Sequence, residues 1–173
     1  MTQLVDKISK EQEEVSGKYL TFQLGEEHYG LPILQVREII GLMDITKVPR
    51  SPDYIRGVIN LRGRIIPVLN LRDRFGMTSV EDTSMTCIIV VDVEAQGATT
   101  LMGILVDSVR EVLDIIPEDI EPAPSFGAGA NGNAIRAMAK GKERVTILLS
   151  TEQVVNSESL AATSESGEEE KKN

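Results

Sequence analysis

The sequence predicts a mainly β protein built as two small barrels, and three observations carry that prediction. Short apolar runs rich in Val and Ile recur along the chain, separated by Gly, Pro, Asp and Ser turn signals. The order of these runs is repeated once, at a shift of 73 residues. Prolines at 117, 122 and 124 exclude a long helix after the short apolar spacing of Val109, Val112 and Leu113. About five short strands in each half, with turns between them, suit a pair of small barrels.

The elements follow in order. Met1–Ser16 is polar without a sustained period and reads as a mobile tail with at most a helical turn. Tyr19–Leu24 alternates, with Leu20, Phe22 and Leu24 on one face, and reads as a strand. Gly25-Glu26-Glu27-His28 is a turn that exposes His28. Tyr29–Ile33 is the return strand, and Pro32 places that strand at an edge or at its end. Leu34–Ile40 spaces Val36, Ile39 and Ile40 for a short helical turn closed by Gly41. Ile45–Val48 is a short strand stopped by Pro49, and Ser51-Pro52-Asp53 marks a turn.

Gly57–Arg72 organises the first half. Val58–Leu61 and Ile65–Leu71 are strands joined at Arg62-Gly63-Arg64, where Gly63 accepts positive φ without a Cβ penalty. Alternation puts Asn60 and Arg62 on one face with Val58, a face that meets water or a partner. A helical turn near Leu71–Phe75 ends at Gly76, and Thr78–Ser84 is a polar linker between the halves. Thr86–Val93 and Thr100–Val106 form a hairpin. Val109, Val112 and Leu113 repeat the spacing of Val36–Ile40. Phe126–Asn133 is glycine-rich and reads as mobile. Ile135–Ala139 and Val145–Ser150 form a further hairpin. Thr151 reads as the N-cap of a C-terminal helix over 151–160, and residues 161–173 as an acidic tail.

The repeat is specific in places. Gly30 matches Gly103, Val36-Arg37-Glu38-Ile39 matches Val109-Arg110-Glu111-Val112, and Pro49 matches Pro122. The register then slips by a few residues. Arg62-Gly63 resembles Lys140-Gly141, and Arg64–Leu71 resembles Arg144–Thr151.

Composition narrows the function. The chain has 173 residues, 41% of them hydrophobic and none of them Trp, so its core is aliphatic. No apolar run approaches the ~20 residues that span a bilayer, and the N-terminus lacks a signal pattern, so a cytoplasmic protein is expected. Cys87 is the single cysteine, which excludes an internal disulfide. Net charge is −9, of which residues 151–173 supply −4 and residues 1–16 supply −2. Such a balance, with 3% aromatics, disfavours nucleic-acid binding, which needs a basic surface and stacking platforms. Within the body, Lys47–Arg74 holds seven basic residues against two acids, and Asp107–Glu121 six acids against one Arg. These segments are solvated surface, or they meet oppositely charged partners or each other.

The Asn-Leu-Arg-Gly of Asn60–Gly63, followed by an Ile-Pro-Val strand and Asn70-Leu71-Arg72, resembles the signature of the CheW family. These are scaffolds that couple chemoreceptors to the histidine kinase of bacterial chemotaxis. The resemblance runs from about Lys18 to about Leu160. It implies two intertwined five-stranded SH3-like barrels on a shared aliphatic core. It also implies a groove between the barrels for the hairpin tip of the receptor's cytoplasmic bundle. The matching positions are Val36, Glu38, Arg62, Val109 and Val112, with Cys87 nearby; each valine also has a reading as ordinary core. Glu38 is placed to hold Arg62 by an ion pair. The second implied partner is the kinase's regulatory domain, which has the same two-barrel design, with Gly57 as the candidate at that surface; Gly57 also reads as a glycine needed for backbone geometry. Recruitment to membrane-bound receptor arrays without membrane insertion is implied too. A CheW-like adaptor of a non-motility chemosensory pathway would look the same.

Catalytic patterns are missing from the sequence. One His and one Cys, with no acid–histidine spacing, give no triad, no Cys–His pair and no metal site. Gly127–Gly132 matches GxGxxG, but Pro122-Ala123-Pro124-Ser125 precedes it and a strand follows, so the strand–turn–helix context of a dinucleotide site is lacking. No ATP-binding motif, phospho-accepting His segment or receiver domain argues for a kinase fragment. No enzyme activity, cofactor or metal is expected, and function must lie in surfaces.

Overall fold

In the computed structural model, the described residues are 10–95, 97–123 and 134–155. Residues 10–15 are helical (α1). Strands follow at β1 (Gly17–Leu24), β2 (Glu27–Pro32), β3 (Val36–Gly41), β4 (Ile55–Leu61) and β5 (Arg64–Asn70), then helix α2 (Leu71–Arg74). The second series is β6 (Cys87–Ala95), β7 (Ala98–Val106), β8 (Ser108–Ile115), β9 (Ile120–Pro122), β10 (Ile135–Lys140) and β11 (Val145–Leu149), then helix α3 (Thr151–Val154). The glycine-rich stretch, the residues beyond Val155 and the first nine residues lie outside the described ones.

The strands form a six-stranded sheet, β8-β1-β2-β11-β10-β9, and a five-stranded sheet, β3-β6-β7-β5-β4. The repeat explains this order. Each half begins with a hairpin and continues with a third strand, a second hairpin and a helical end. The halves exchange their first hairpins. β1 and β2 join β8–β11, while β6 and β7 join β3–β5. The register is the same in both: β2 runs parallel to β11 with Gly30 opposite Leu148, and β7 runs parallel to β5 with Gly103 opposite Val68. Residues 78–84 join α2 to β6, whose strands belong to one sheet. The unit boundaries therefore fall between β2 and β3 and between β7 and β8, and not in the polar linker.

This exchange creates three cores. Ile59, Ile66, Val68, Ile88, Val90 and Leu105 fill the five-stranded unit. Tyr19, Ile115, Ile120, Ala137, Ala139 and Leu148 fill the six-stranded unit. Between the units lies a larger shared core that includes Phe22, Leu24, Leu31, Leu69, Ile89 and Ile104. Alternate residues of one strand serve different cores. Ile88 and Val90 point into the five-stranded unit, while Ile89, Val91 and Val93 point into the shared core. Period-two geometry on a strand buried on both faces requires a continuous apolar run, and Cys87–Val91 supplies one.

Several local expectations need correction. Leu34–Ile40 and Val109–Leu113 are not helical turns. Apart from a 3-10 turn at Ile33–Gln35 they are strands β3 and β8. Each carries a bulge at the same place. β3 shifts register between Val36 and Glu38, opposite Val91 and Val90. β8 shifts between Val109 and Val112, opposite Phe22 and Leu20. One inserted residue breaks the two-residue alternation and leaves an i, i+3, i+4 spacing that imitates a helix. Ile45–Val48 is reduced to one bridge, Thr46 to Val58, with backbone bonds of 2.8 Å in both directions. Pro32 ends β2, which is an inner strand, and His28 lies within β2, half-buried rather than in an exposed turn. Ser150, not Thr151, caps α3 by accepting from the Gln153 N–H, because β11 ends at Leu149 and leaves Ser150 extended. Asn70 caps α2 in the equivalent position, accepting from the Arg72 N–H at 3.0 Å. Within the tail, residues 10–15 dock: Gln12 donates to the Ile120 carbonyl at 2.9 Å, and Tyr19 Oη donates to the Val15 carbonyl at 2.6 Å.

The basic and acidic segments meet at Arg72 and Asp107. Arg72 holds Asp107 with two bonds, Nε to Oδ1 at 2.8 Å and Nη2 to Oδ2 at 2.5 Å. The Gly25 N–H also donates to Asp107 Oδ2 at 2.7 Å. This single carboxylate thus ties α2, the β1–β2 turn and the β7–β8 corner together. The Arg72 bond holds the Asp107 carboxyl below its ordinary value, and the same bond raises Arg72. A lowered carboxylate pKa stabilises the fold above its unfolded value near 4, and that stabilisation is lost as pH falls through the folded value. Asp107→Ala is expected to lower stability by about 2–3 kcal/mol at pH 7, since Arg72 is left mostly buried and unpaired. Urea unfolding at pH 7 and at pH 3 checks this, with a smaller difference between the two proteins in acid.

Candidate functional site

The residues singled out by sequence fall into two groups. Val36 and Glu38 sit on β3, an edge strand of the five-stranded sheet, and Arg62 sits in the turn between β4 and β5. Val109 and Val112 sit on β8, an edge strand of the other sheet.

The bulges decide where these side chains go. Val36, Glu38 and Ile40 would share one face of a regular strand. With Arg37 inserted, Val36 packs on the shared core and Ile40 on the core of the five-stranded unit. The second copy behaves likewise. Val109 packs on the shared core, and Leu113 and Ile115 on that of the six-stranded unit. Thr21 fills the second bulge. Its hydroxyl donates to the Glu111 carbonyl at 2.7 Å and accepts from the Glu111 N–H at 3.1 Å. Val36 and Val109 are thus half-buried rims of the shared core, offered from edge strands of opposite sheets. Cys87, half-buried, packs on the same core. Val112 projects away from it and is 50% exposed.

Arg62 and Glu38 do come together. Strands β4 and β5 are joined by the two-residue loop Arg62-Gly63, with Leu61 paired to Arg64. Both loop residues have positive φ, 53° at Arg62 and 88° at Gly63, which matches the twist of a tight hairpin. Asn60 Oδ1 accepts the Gly63 N–H at 2.8 Å and braces the loop. Arg62 is therefore a turn residue held at the tip, not a strand residue beside Val58. Its Nη2 donates to Glu38 Oε1. The Arg62 side chain stays 71% exposed, so the pair orients the guanidinium more than it stabilises the fold.

Sequence reasoning passed over Arg37 and Arg64. With Glu38 and Arg62 they rim a cavity of about 510 Å3 at the mouth of the five-stranded unit. Arg37 Nε lies 3.2 Å from Asp92 Oδ2. Leu61, Ile66, Val90 and Leu101 complete its lining. The available signal was the repeat, which keeps arginine at both positions as Arg110 and Arg144.

Gly57 lies apart from this cavity, buried in β4 with φ of 150°. A Cβ there would stand 2.2 Å from the Thr46 carbonyl oxygen and 2.8 Å from Ile45 Cγ2. Its role in the fold is to let the 45–46 segment cross β4 closely enough to bond Val58. Among the described residues, no group of three or more His, Cys, Asp or Glu is placed to hold a metal. No helix among them is long and apolar enough to cross a membrane.

Gly57→Ala is expected to destabilise the protein by about 2–4 kcal/mol, because backbone rather than a flexible side chain must move. Thermal unfolding measures the loss, and amide shifts at Ile45, Thr46 and Val58 locate it. An unchanged melting temperature would contradict the packing account.

Comparison with known proteins adds the family. A family model described as CheW-like domain matches residues 18–159. The chemotaxis protein CheW of Klebsiella aerogenes is 37% identical over 149 residues, covering 86% of this chain and 87% of that one. CheW of Helicobacter pylori is 30% identical over 163 residues, covering 88% and 96%. Among solved structures, the scaffolding protein TtCheW of Thermoanaerobacter tengcongensis superposes with a TM-score of 0.72 at 35% identity, covering 82% of this chain and 93% of that one. With the exchanged hairpins, the braced Asn-Leu-Arg-Gly turn and this extent of likeness, the chain belongs to the CheW family.

Proposed function

We propose that this chain is a non-enzymatic scaffold that couples chemoreceptors to the chemotaxis histidine kinase and passes receptor state to kinase activity. The observation that carries the reading is the exposed Arg62 guanidinium, held at the tip of a braced hairpin by Glu38, beside the half-buried rim at Val36. A planar, pre-oriented fork suits carboxylates and backbone carbonyls of a helical hairpin. Val36 and Val109, with exposed Val112, give that hairpin an apolar seam between the two units. Coupling needs only different affinity for two receptor states, about 1–3 kcal/mol.

The kinase's regulatory domain is the second partner. Matched exposed aliphatics support an end-to-end contact of like units. Ile65 at the start of β5 is 67% exposed and Val145, its counterpart at the start of β11, 49%. Two similar surfaces on one chain allow head-to-tail rings. Gly57 serves that contact indirectly, by keeping the 45–46 segment in place. The protein works in the cytoplasm, recruited to receptor arrays.

The test measures binding to a receptor cytoplasmic fragment and, separately, to a kinase regulatory domain. Arg62→Ala is expected to stay folded, to lose receptor affinity by about tenfold, and to keep kinase affinity within about twofold. Equal loss of both partners would remove the assignment of Arg62 to the receptor. Binding of neither partner by the wild type would remove the coupling function.

A further inference from the structure

The two bulges are closed in different ways. On β3 the ladder resumes directly after the inserted Arg37, with Glu38 opposite Val90. On β8 the register runs from Val109 opposite Phe22 to Val112 opposite Leu20 and passes over Thr21. The repeat matches Glu38 with Glu111. Strand pairing matches Val90 with Thr21, because Val91 and Phe22 face the equivalent residues Val36 and Val109. A backbone pair in one unit is therefore replaced by a side-chain hydroxyl in the other. A threonine hydroxyl is donor and acceptor at once, so it can serve both backbone groups of one residue. Thr21 Oγ1 does this for Glu111, donating to its carbonyl at 2.7 Å and accepting from its N–H at 3.1 Å. Valine, at position 90, has neither capacity.

The replacement has a visible consequence. Glu38 is half-buried, whereas its equivalent Glu111 is exposed. A hydroxyl set between the strands holds Glu111 off β1 and on the free edge of the sheet. Val109, before the bulge, packs on the shared core, and Val112, after it, is 50% exposed. Thr21 is itself 2% exposed, so any effect it has on a partner passes through β8.

We infer that Thr21 is a positioning residue for receptor contact: its buried hydroxyl fixes the β8 bulge, and the bulge sets Val109 and Val112 toward the receptor hairpin. The inference rests on the coupling reading, in which those valines line the seam between the units. It gives β8 a side-chain lock that β3 does without, since the ladder at Glu38 and Val90 closes the first bulge.

Thr21→Val keeps the side-chain shape and removes both bonds, and Val90 shows that valine fits the equivalent place in the fold. Thr21→Ala removes the same bonds with a smaller group, and Thr21→Ser keeps the hydroxyl. Each full-length variant is titrated with a receptor cytoplasmic fragment and with a kinase regulatory domain, well below its unfolding midpoint. Exchange of the Glu111 amide is followed in parallel. Thr21→Val and Thr21→Ala are expected to lose about fivefold in receptor affinity and to keep kinase affinity within about twofold. Glu111 exchange should quicken about tenfold in both. Thr21→Ser should return all three readings close to wild type. Val112→Ala should weaken receptor binding about threefold in the wild type and add little in the Thr21→Val background, since the two changes act through one contact.

Receptor affinity unchanged in Thr21→Val, with only stability lowered, would make the hydroxyl structural and overturn the inference. So would equal losses for receptor and kinase, failure of Thr21→Ser to restore binding, or a full additional loss from Val112→Ala. A wild type that binds no receptor removes the coupling reading and this inference with it. A wild type that binds, beside a Thr21→Val that binds as well, removes the inference alone.

Discussion

Strands β2, β5, β6, β7 and β11 are buried on both faces, and that constraint shapes everything else. A small barrel hides the inner face of its strands and leaves the outer face wet. Here the outer faces of Ile89, Val91, Leu69, Ile104 and Leu149 are as apolar as the inner ones. Neither unit can shed them to water, so the units must share a third core. Exchange of the first hairpins makes the sharing obligatory, because each sheet is completed only by strands from the other half of the chain. Polar ties then fix the relative placement. Asp107 gathers Arg72 and the Gly25 amide. Arg74, itself buried, donates to the Val154 carbonyl at 3.0 Å and stacks over Tyr54 at 5.7 Å, so α2 closes the end of α3.

A shared core has a rim, and the candidate site is that rim. Edge strands β3 and β8 would carry one face each without their bulges. The inserted residue lets a single strand contribute Val36 or Val109 to the shared core and its later residues to a barrel interior. It also turns Arg37 and Glu38 toward the mouth of the five-stranded unit. Glu38 meets Arg62 there because a two-residue loop with positive φ at both positions brings the tip of β4 and β5 back over β3. The exposed guanidinium, the half-buried valines and the cavity behind them come from one geometric device.

The repeat also explains how nearly identical units acquire different surfaces. Backbone features recur without change: the glycine opposite the parallel strand, the bulge after Val, and the polar cap after the fifth strand. Side chains toward the mouths did diverge, including on the exchanged strands β1, β2, β6 and β7. Leu101, Ile66 and Val90 against His28, Thr146 and Thr21 is that divergence. A scaffold whose halves present the same fold needs such differences if its two ends are to meet different partners.

Much was legible in the sequence, and for definite reasons. Alternation and turn residues gave the strands, because period two and positive φ are local properties. The order of elements gave two repeated units, and the Asn60–Gly63 turn gave the family resemblance and, through it, the Glu38–Arg62 pair. Other features were decided only in three dimensions. The spacing of Val36, Ile39 and Ile40 fits a helix as well as a bulged strand, and only pairing with β6 distinguishes them. Hairpin exchange leaves no mark on local pattern, since each hairpin reads the same whichever sheet it joins. Gly57 shows its necessity only where Thr46 crosses it, and Arg62 meets Glu38 only once the β4–β5 turn reaches β3. Sequence by itself determined the hairpin strands and that they come twice. Tertiary packing decided which strands belong together and which charges meet, because both depend on contacts between residues far apart in the chain.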